Sequence, residues 1–261
     1  MFARQIGVDW SGGGRSDESQ RGLAVAICED GGSVRRANWF DKRRSRDELV
    51  SFLIRELHPS RPRTIVGMDF CFGLPAGAGK LLFSKEGWRE SCFGMRAFME
   101  EHGTARAVAQ AVNARPEFGG HGPYRFDENR NDFRFYLDHG VRYYREVETF
   151  VPQALSPWYV GSGAAVGFST ITGMAAIGEL LQARSRGECD FRVWPFDDVD
   201  DERHVLAEVY PAIWPHPEIE HSSNDERDAA KIVIGILSAA GLLAASVGSR
   251  SYLEGWILGV F

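Results

Sequence analysis

The sequence predicts an α/β protein. Three observations predict it. A short apolar run, Gln5 to Ser11, opens the chain; a hairpin signal follows; and a capped, helically spaced segment leads into a second buried-strand run that stops at Gly73 and Pro75. Strand, hairpin, strand, helix and strand make a unit whose last strand can lie parallel to its first across a helical crossover.

Taking the elements in order, QIGVDWS alternates so that Gly7 and Asp9 share one face and Ile6, Val8 and Trp10 the other. RGLAVAICEDGGSVRRANWF holds two β-rich runs joined by Asp30-Gly31-Gly32, which predicts three antiparallel strands in all. Ser45 and Glu48 form a capping box, and Leu49, Phe52, Leu53 and Leu57 recur at helical spacing until His58-Pro59 ends the run. RTIVGMDFCFGLP then reads as a buried strand.

Residues 76–160 are rich in arginine and aromatics and predict an inserted, mainly helical subregion within one domain spanning 1–261. Its near-balanced charges point to a solvated helical surface rather than an arginine-aromatic groove for single-stranded nucleic acid. Next, GSGAAVGFSTITGMAAIGELLQA leads into an amphipathic helix, and FRVWPFDD and HVLAEVYPAIW supply two more strand-like runs. Finally, in NDERDAAKIVIGILSAAG the residues Ala229, Ile232, Val233, Ile236, Leu237 and Ala240 form a helical stripe that Asp225 and Asp228 continue toward the N-terminus.

At 261 residues and 44% hydrophobic content, the chain can bury a substantial core without staples. Its four cysteines, Cys28, Cys71, Cys92 and Cys189, form no CxxC pair, so neither a disulfide framework nor a structural zinc site is indicated, and a reducing, cytoplasmic setting is expected. MFARQIGVDWSGGGR has no apolar signal-peptide core, so no export is expected. The apolar stretch from Ile232 to Gly248 follows a charged cluster and is broken by glycines, which reads as a buried helix and not a membrane span. A formal net charge of −6 argues against a dominant positive field for nucleic acid.

Chemistry, where the sequence suggests it, is carried by carboxylates. Asp9 and Asp69 each end an apolar strand, and in open α/β sheets the carboxyl ends of strands border the ligand crevice. Glu208, between Ala207 and Val209, calls for a polar pocket because a buried unpaired charge is costly. Asp228 lies one turn inside the last helix; Asp225 is either its N-cap or a further functional carboxylate. Converging carboxylates repel one another, and a divalent cation keeps them ionised. Oxygen ligands suit Mg²⁺ or Mn²⁺, which makes Asp9, Asp69, Glu208, Asp225 and Asp228 the expected metal-binding set and Asp9, Asp69, Glu208 and Asp228 the expected catalytic set. Such ions activate water and stabilise a leaving oxygen, so hydrolysis of a phosphodiester is the expected reaction, on nucleic acid or a phosphorylated small molecule.

The segments IGVDWS, VGMDFCFGLP, LAEVYPAIW, NDERDAAKIVIGILSAAG and EGWILGV, in this order, resemble the DUF429 family of predicted nucleases within the ribonuclease H-like superfamily. The resemblance covers most of the chain outside 76–160. It implies a mixed, five-stranded sheet of order 3-2-1-4-5 with helices on both sides and a site at Asp9, Asp69, Glu208 and Asp228. The loop DWSGGGRS also resembles the phosphate-binding hairpin of the actin and sugar-kinase group, whose backbone amides hold phosphate; this makes Ser11, Gly12 and Gly13 candidate substrate contacts. Two alternatives therefore stand beside the hydrolase: a non-catalytic nucleotide or nucleic-acid binding module, and an ATP-dependent phosphotransferase. For Gly161 to Gly173, an anion site and close helix packing are equally good readings. His121 reads as solvent-exposed, and Cys71 and Cys92 lack a base partner for nucleophilic work.

Overall fold

The computed structural model describes residues 2–20, 22–36, 44–126, 132–162, 165–199, 202–215, 223–239 and 254–260, together with 241 and 243. Strands β1 (Arg4–Asp9), β2 (Ala24–Glu29) and β3 (Arg35–Arg36) are antiparallel neighbours, with Asp9 opposite Ala24 and Arg4 opposite Glu29. The β2–β3 turn puts Asp30 at φ 49° and Gly31 at φ 70°, left-handed backbone that glycine adopts without steric cost and aspartate tolerates. Helix α1 (Arg46–Glu56) begins at the expected capping box: Ser45 Oγ accepts from the Glu48 N–H, and the Glu48 carboxylate accepts from the Ser45 N–H. It crosses over to β4 (Thr64–Met68), which lies parallel to β1 with Val8 level with Met68.

Between β4 and the next long helix run α2 (Ala78–Phe83), α3 (Trp88–His102), α4 (Ala105–Asn113) and α5 (Arg134–His139). Then follow α6 (Gly167–Ser185), β5 (Phe191–Trp194), β6 (His204–Glu208) and α7 (Asn224–Ala239). The expected strand order needs correction. Among the described residues the sheet has six strands in the order β3-β2-β1-β4-β6-β5, so the last of them in sequence sits beside β4 and β5 takes the edge. Burial explains the exchange. All five residues of β6 are buried, as a central strand requires, whereas β5 is shorter and leaves Arg192 partly exposed.

Helices cover both faces. On one, α7 packs against β1, β2 and β4. A methyl group at Gly7 would overlap the Ala229 carbonyl oxygen, and one at Gly67 would collide with Ile232, so these two glycines let α7 lie close on the sheet. On the other face a single apolar cluster joins Ile6, Val8, Val66 and Met68 to Leu82, Trp88, Met95 and Val108 of the 76–160 region. Helix α6 lies in this layer among α1, α3 and α4 and is buried almost all round, where the sequence predicted an amphipathic helix. Of the α7 stripe, Leu237 is exposed, and Ala240 lies outside the described residues. Among the described residues no helix is long and apolar enough to cross a membrane.

Candidate functional site

Register dictates which carboxylates meet. Asp9 and Asp69 follow the paired residues Val8 and Met68, so they leave adjacent parallel strands side by side, on the face carrying Gly7 and Gly67. That is the α7 face. Ser223 Oγ accepts from the Glu226 N–H and so caps α7; Asp225, for which capping was one expectation, is left to face the strand ends. Asp9, Asp69, Asp225 and Asp228 accordingly line one cleft of about 900 Å³.

Asp9 and Asp69 share a hydrogen bond, and Asp69 Oδ1 also accepts the Trp10 N–H at 2.7 Å. Burial, then Asp69, then Asp225 and Asp228 hold the Asp9 carboxyl well above the usual carboxylate range. Asp69 is pushed up to about 6 by burial, with the bonds from Asp9 and the Trp10 N–H pulling it back and Asp228 adding to the rise. Both carboxyls of the pair are therefore shifted up from the ordinary aspartate range, and they titrate together rather than singly. Asp228 lies farther out, with its side chain 38% exposed and 3.1 Å from Lys231 Nζ.

Glu208 takes a different place. It is level with Met68, one residue out of step with Asp69, and the two-residue period of a strand turns it to the opposite face. There Arg145 grips it with two bonds of 2.5 and 2.8 Å, and its Oε2 accepts the Phe72 N–H at 2.8 Å. Arg145 also binds Glu148 at 2.6 Å. Glu254 accepts the N–H groups of Ala76 and Glu146, both at 2.7 Å, tying the same knot to the C-terminal segment. The polar pocket demanded by Glu208 is thus an ion-pair network just behind Asp69, and Glu208 is absent from the residues lining the cleft.

Ser11, Gly12 and Gly13 do line the cleft. The buried Arg46 guanidinium donates to the carbonyls of Ser11 and Gly14, each at 3.0 Å, and to that of Gly13, which braces the loop from beneath. Gly12 abuts the backbone of Phe168 and Ser169, where any side chain would collide. In the Gly161 to Gly173 stretch the structure shows close packing at two glycines. Gly167 and Gly173 are packing glycines, against the Tyr159 carbonyl and the Phe70 ring, while Gly161, Ser162 and Ser169 line the cleft. His121 pairs with Asp132 at 3.1 Å, away from the cleft, and burial pushes the Cys71 and Cys92 thiols up, against nucleophilic use.

Sequence reasoning missed two contributors. Arg145 was one basic residue among many in the charge-balanced region; only the need of Glu208 for a partner signalled it. Arg106 of α4 lines the cleft with its guanidinium 5.6 and 5.5 Å from the ring centres of Phe126 and Phe168, and nothing in its local sequence marked it out.

The donor set of the cleft suits a hard divalent cation: it is made of carboxylate oxygens, and burial first of all holds the Asp9 and Asp69 carboxyls above the usual range. Among the described residues, however, no group of three or more His, Cys, Asp or Glu side chains is drawn together into a ready-made metal site. The fit is one of chemistry, with the Asp9–Asp69 pair as its assembled part. Comparison with protein-family models, with curated proteins and with solved structures finds no match to the chain.

Proposed function

We propose that the protein is a metal-dependent phosphodiester hydrolase of ribonuclease H-like type, acting on nucleic acid. The observation that carries the reading is the buried Asp9–Asp69 pair on adjacent strand ends, faced by Asp225 and Asp228 from the start of α7. Asp9 and Asp69 are the residues for Mg²⁺ or Mn²⁺, with Asp225 or Asp228 completing the donors. The bound cation would offset the carboxylate charge, polarise a phosphate oxygen and make a water molecule more acidic. Asp69, fixed by the Trp10 N–H, holds its carboxylate toward the cleft. Asp228, exposed at the mouth and paired with Lys231, is the group placed to take a proton from attacking water. Glu208 acts through packing: with Arg145 it anchors the turn that follows Asp69 at the Phe72 N–H.

The test is cleavage of labelled single-stranded, duplex, hybrid and branched DNA and RNA with Mg²⁺ or Mn²⁺, comparing the wild type with Asp69→Asn. Metal-dependent product from the wild type and its loss by a hundred-fold or more in the variant supports the assignment, since metal-ligand and proton-transfer groups contribute about that much. A folded wild type that cleaves none of these substrates defeats it.

A further inference from the structure

Only one lysine or arginine among the described residues lines the cleft, and it belongs to the layer across the sheet from α7. Arg106 sits on α4, which packs on α6, while the aspartates come from the strand ends and α7. Its guanidinium is flanked by the rings of Phe126 and Phe168, and among the described residues it pairs with no carboxylate. That separates it from Arg4, Arg15, Arg44, Arg89, Arg96 and Arg134, each of which has an acidic partner. Ring stacking orients a guanidinium yet leaves its in-plane N–H donors available, and planar donors of this kind match phosphate oxygens. The other charged groups lining this cleft are aspartates, which repel phosphate. Its volume, about 900 Å³, lies near the upper end of the roughly 300–1,000 Å³ common for ligand pockets and exceeds what one phosphate needs.

We infer that Arg106 is a substrate-positioning residue: it holds a phosphate neighbouring the one at the Asp9–Asp69 pair, so that the preferred substrate is an oligonucleotide with at least two consecutive phosphates. The inference rests on the hydrolase reading for the role of the aspartates, but its binding consequence can be measured without turnover. Arg106 is exposed, so replacing it leaves the fold intact.

The experiment measures binding of fluorescein-labelled single-stranded DNA and RNA 12-mers to the full chain carrying Asp69→Asn, with Arg106, Arg106→Lys or Arg106→Gln, across a salt series in Mg²⁺. Arg106→Gln is expected to weaken binding about ten-fold, the worth of one charge-assisted contact. It should also flatten the dependence of log K on log salt by about 0.7, the value for one phosphate on a single strand. Arg106→Lys should keep the slope. In an otherwise wild-type chain, Arg106→Gln should lower kcat/KM on the 12-mer, mainly through KM, and spare bis(p-nitrophenyl) phosphate, which has one phosphate. Unchanged affinity and slope in Arg106→Gln, or no binding of the 12-mers by any form, overturns the inference, even if the wild type cleaves. Weaker binding with an unchanged slope overturns it too, because the loss would then be of stacking. The predicted binding losses without cleavage by the wild type would sustain Arg106 as the phosphate contact while the hydrolase reading fails.

Discussion

At the scale of single residues, the raised Asp69 carboxyl sets a pH dependence whose sign can be worked out. Asp69 has a folded value of about 6, against about 3.9 for an unfolded aspartate. A carboxyl raised in this way favours the folded state while protonated. Its contribution is complete below about pH 4 and is lost as the pH rises through about 6. In metal-free protein, Asp69→Asn should therefore match the wild type in Tm near pH 4 and exceed it at pH 8. Mg²⁺ or Mn²⁺ should reverse the ranking at pH 8 and do little at pH 4, because a cation competes with the proton for the same oxygens. Thermal melts across pH with and without cation check this; a cation-induced rise in Tm that Asp69→Asn leaves intact would remove the pair from the metal site. Glu208→Gln serves as the contrast. It breaks a buried bidentate ion pair, a loss on the order of 3–5 kcal/mol, so Tm should fall at every pH while the cation-induced rise persists. Both aspartates were visible in the sequence because a charge that closes an apolar strand must have something polar to face. Glu208 was visible for the same reason, but its partner was not.

At the scale of elements, parity and close approach decide what gathers at the site. β1, β4, the α1 capping box and most of the α7 stripe follow from local sequence; Leu237 alone among the described stripe residues turns outward. The register between β4 and β6 does not follow from local sequence. It was fixed by packing across the whole sheet, and a single step of it sends Glu208 to the face opposite Asp69. The exchange of β5 and β6 has the same origin, since strand order depends on which run can be buried on both sides. Gly7 ties the two effects together. It is the point at which α7 descends onto β1, two residues before Asp9, and a methyl group there meets a backbone carbonyl that no rotamer change can move. Gly7→Ala should destabilise the protein by about 1–3 kcal/mol, the usual cost of overpacking. Because relief requires α7 to lift from the strand ends, the cation-induced rise in Tm should also shrink. Urea melts report the first effect and the thermal melts the second; an unchanged cation response would mean that the α7 aspartates contribute little to cation binding.

At the scale of the whole molecule, the 76–160 region behaves as part of the core, although the chain is composed as if it were an addition. Its irregular, arginine-rich sequence marked it as an insertion with several helices, and helices α2 to α5 are there. What composition could not convey is where their apolar sides go. Leu82, Trp88, Met95 and Val108 join Ile6, Val8, Val66 and Met68 in one cluster, with α6 buried between the two groups. Arg145 and Glu254 add polar ties from the same region to β6 and the C-terminal segment. Elements that share a continuous core open together, because exposing one uncovers apolar surface on the other. Native-state hydrogen exchange should therefore give slowly exchanging amides in α3 the same opening free energy as those in β1 and β4, within about 1 kcal/mol, and the same response to denaturant. If α3 instead opened at much lower free energy while the strands stayed protected, the region would be a separable unit. The wall that carries Arg106 would then be free to move against the carboxylate wall, and substrate choice would depend on its closure.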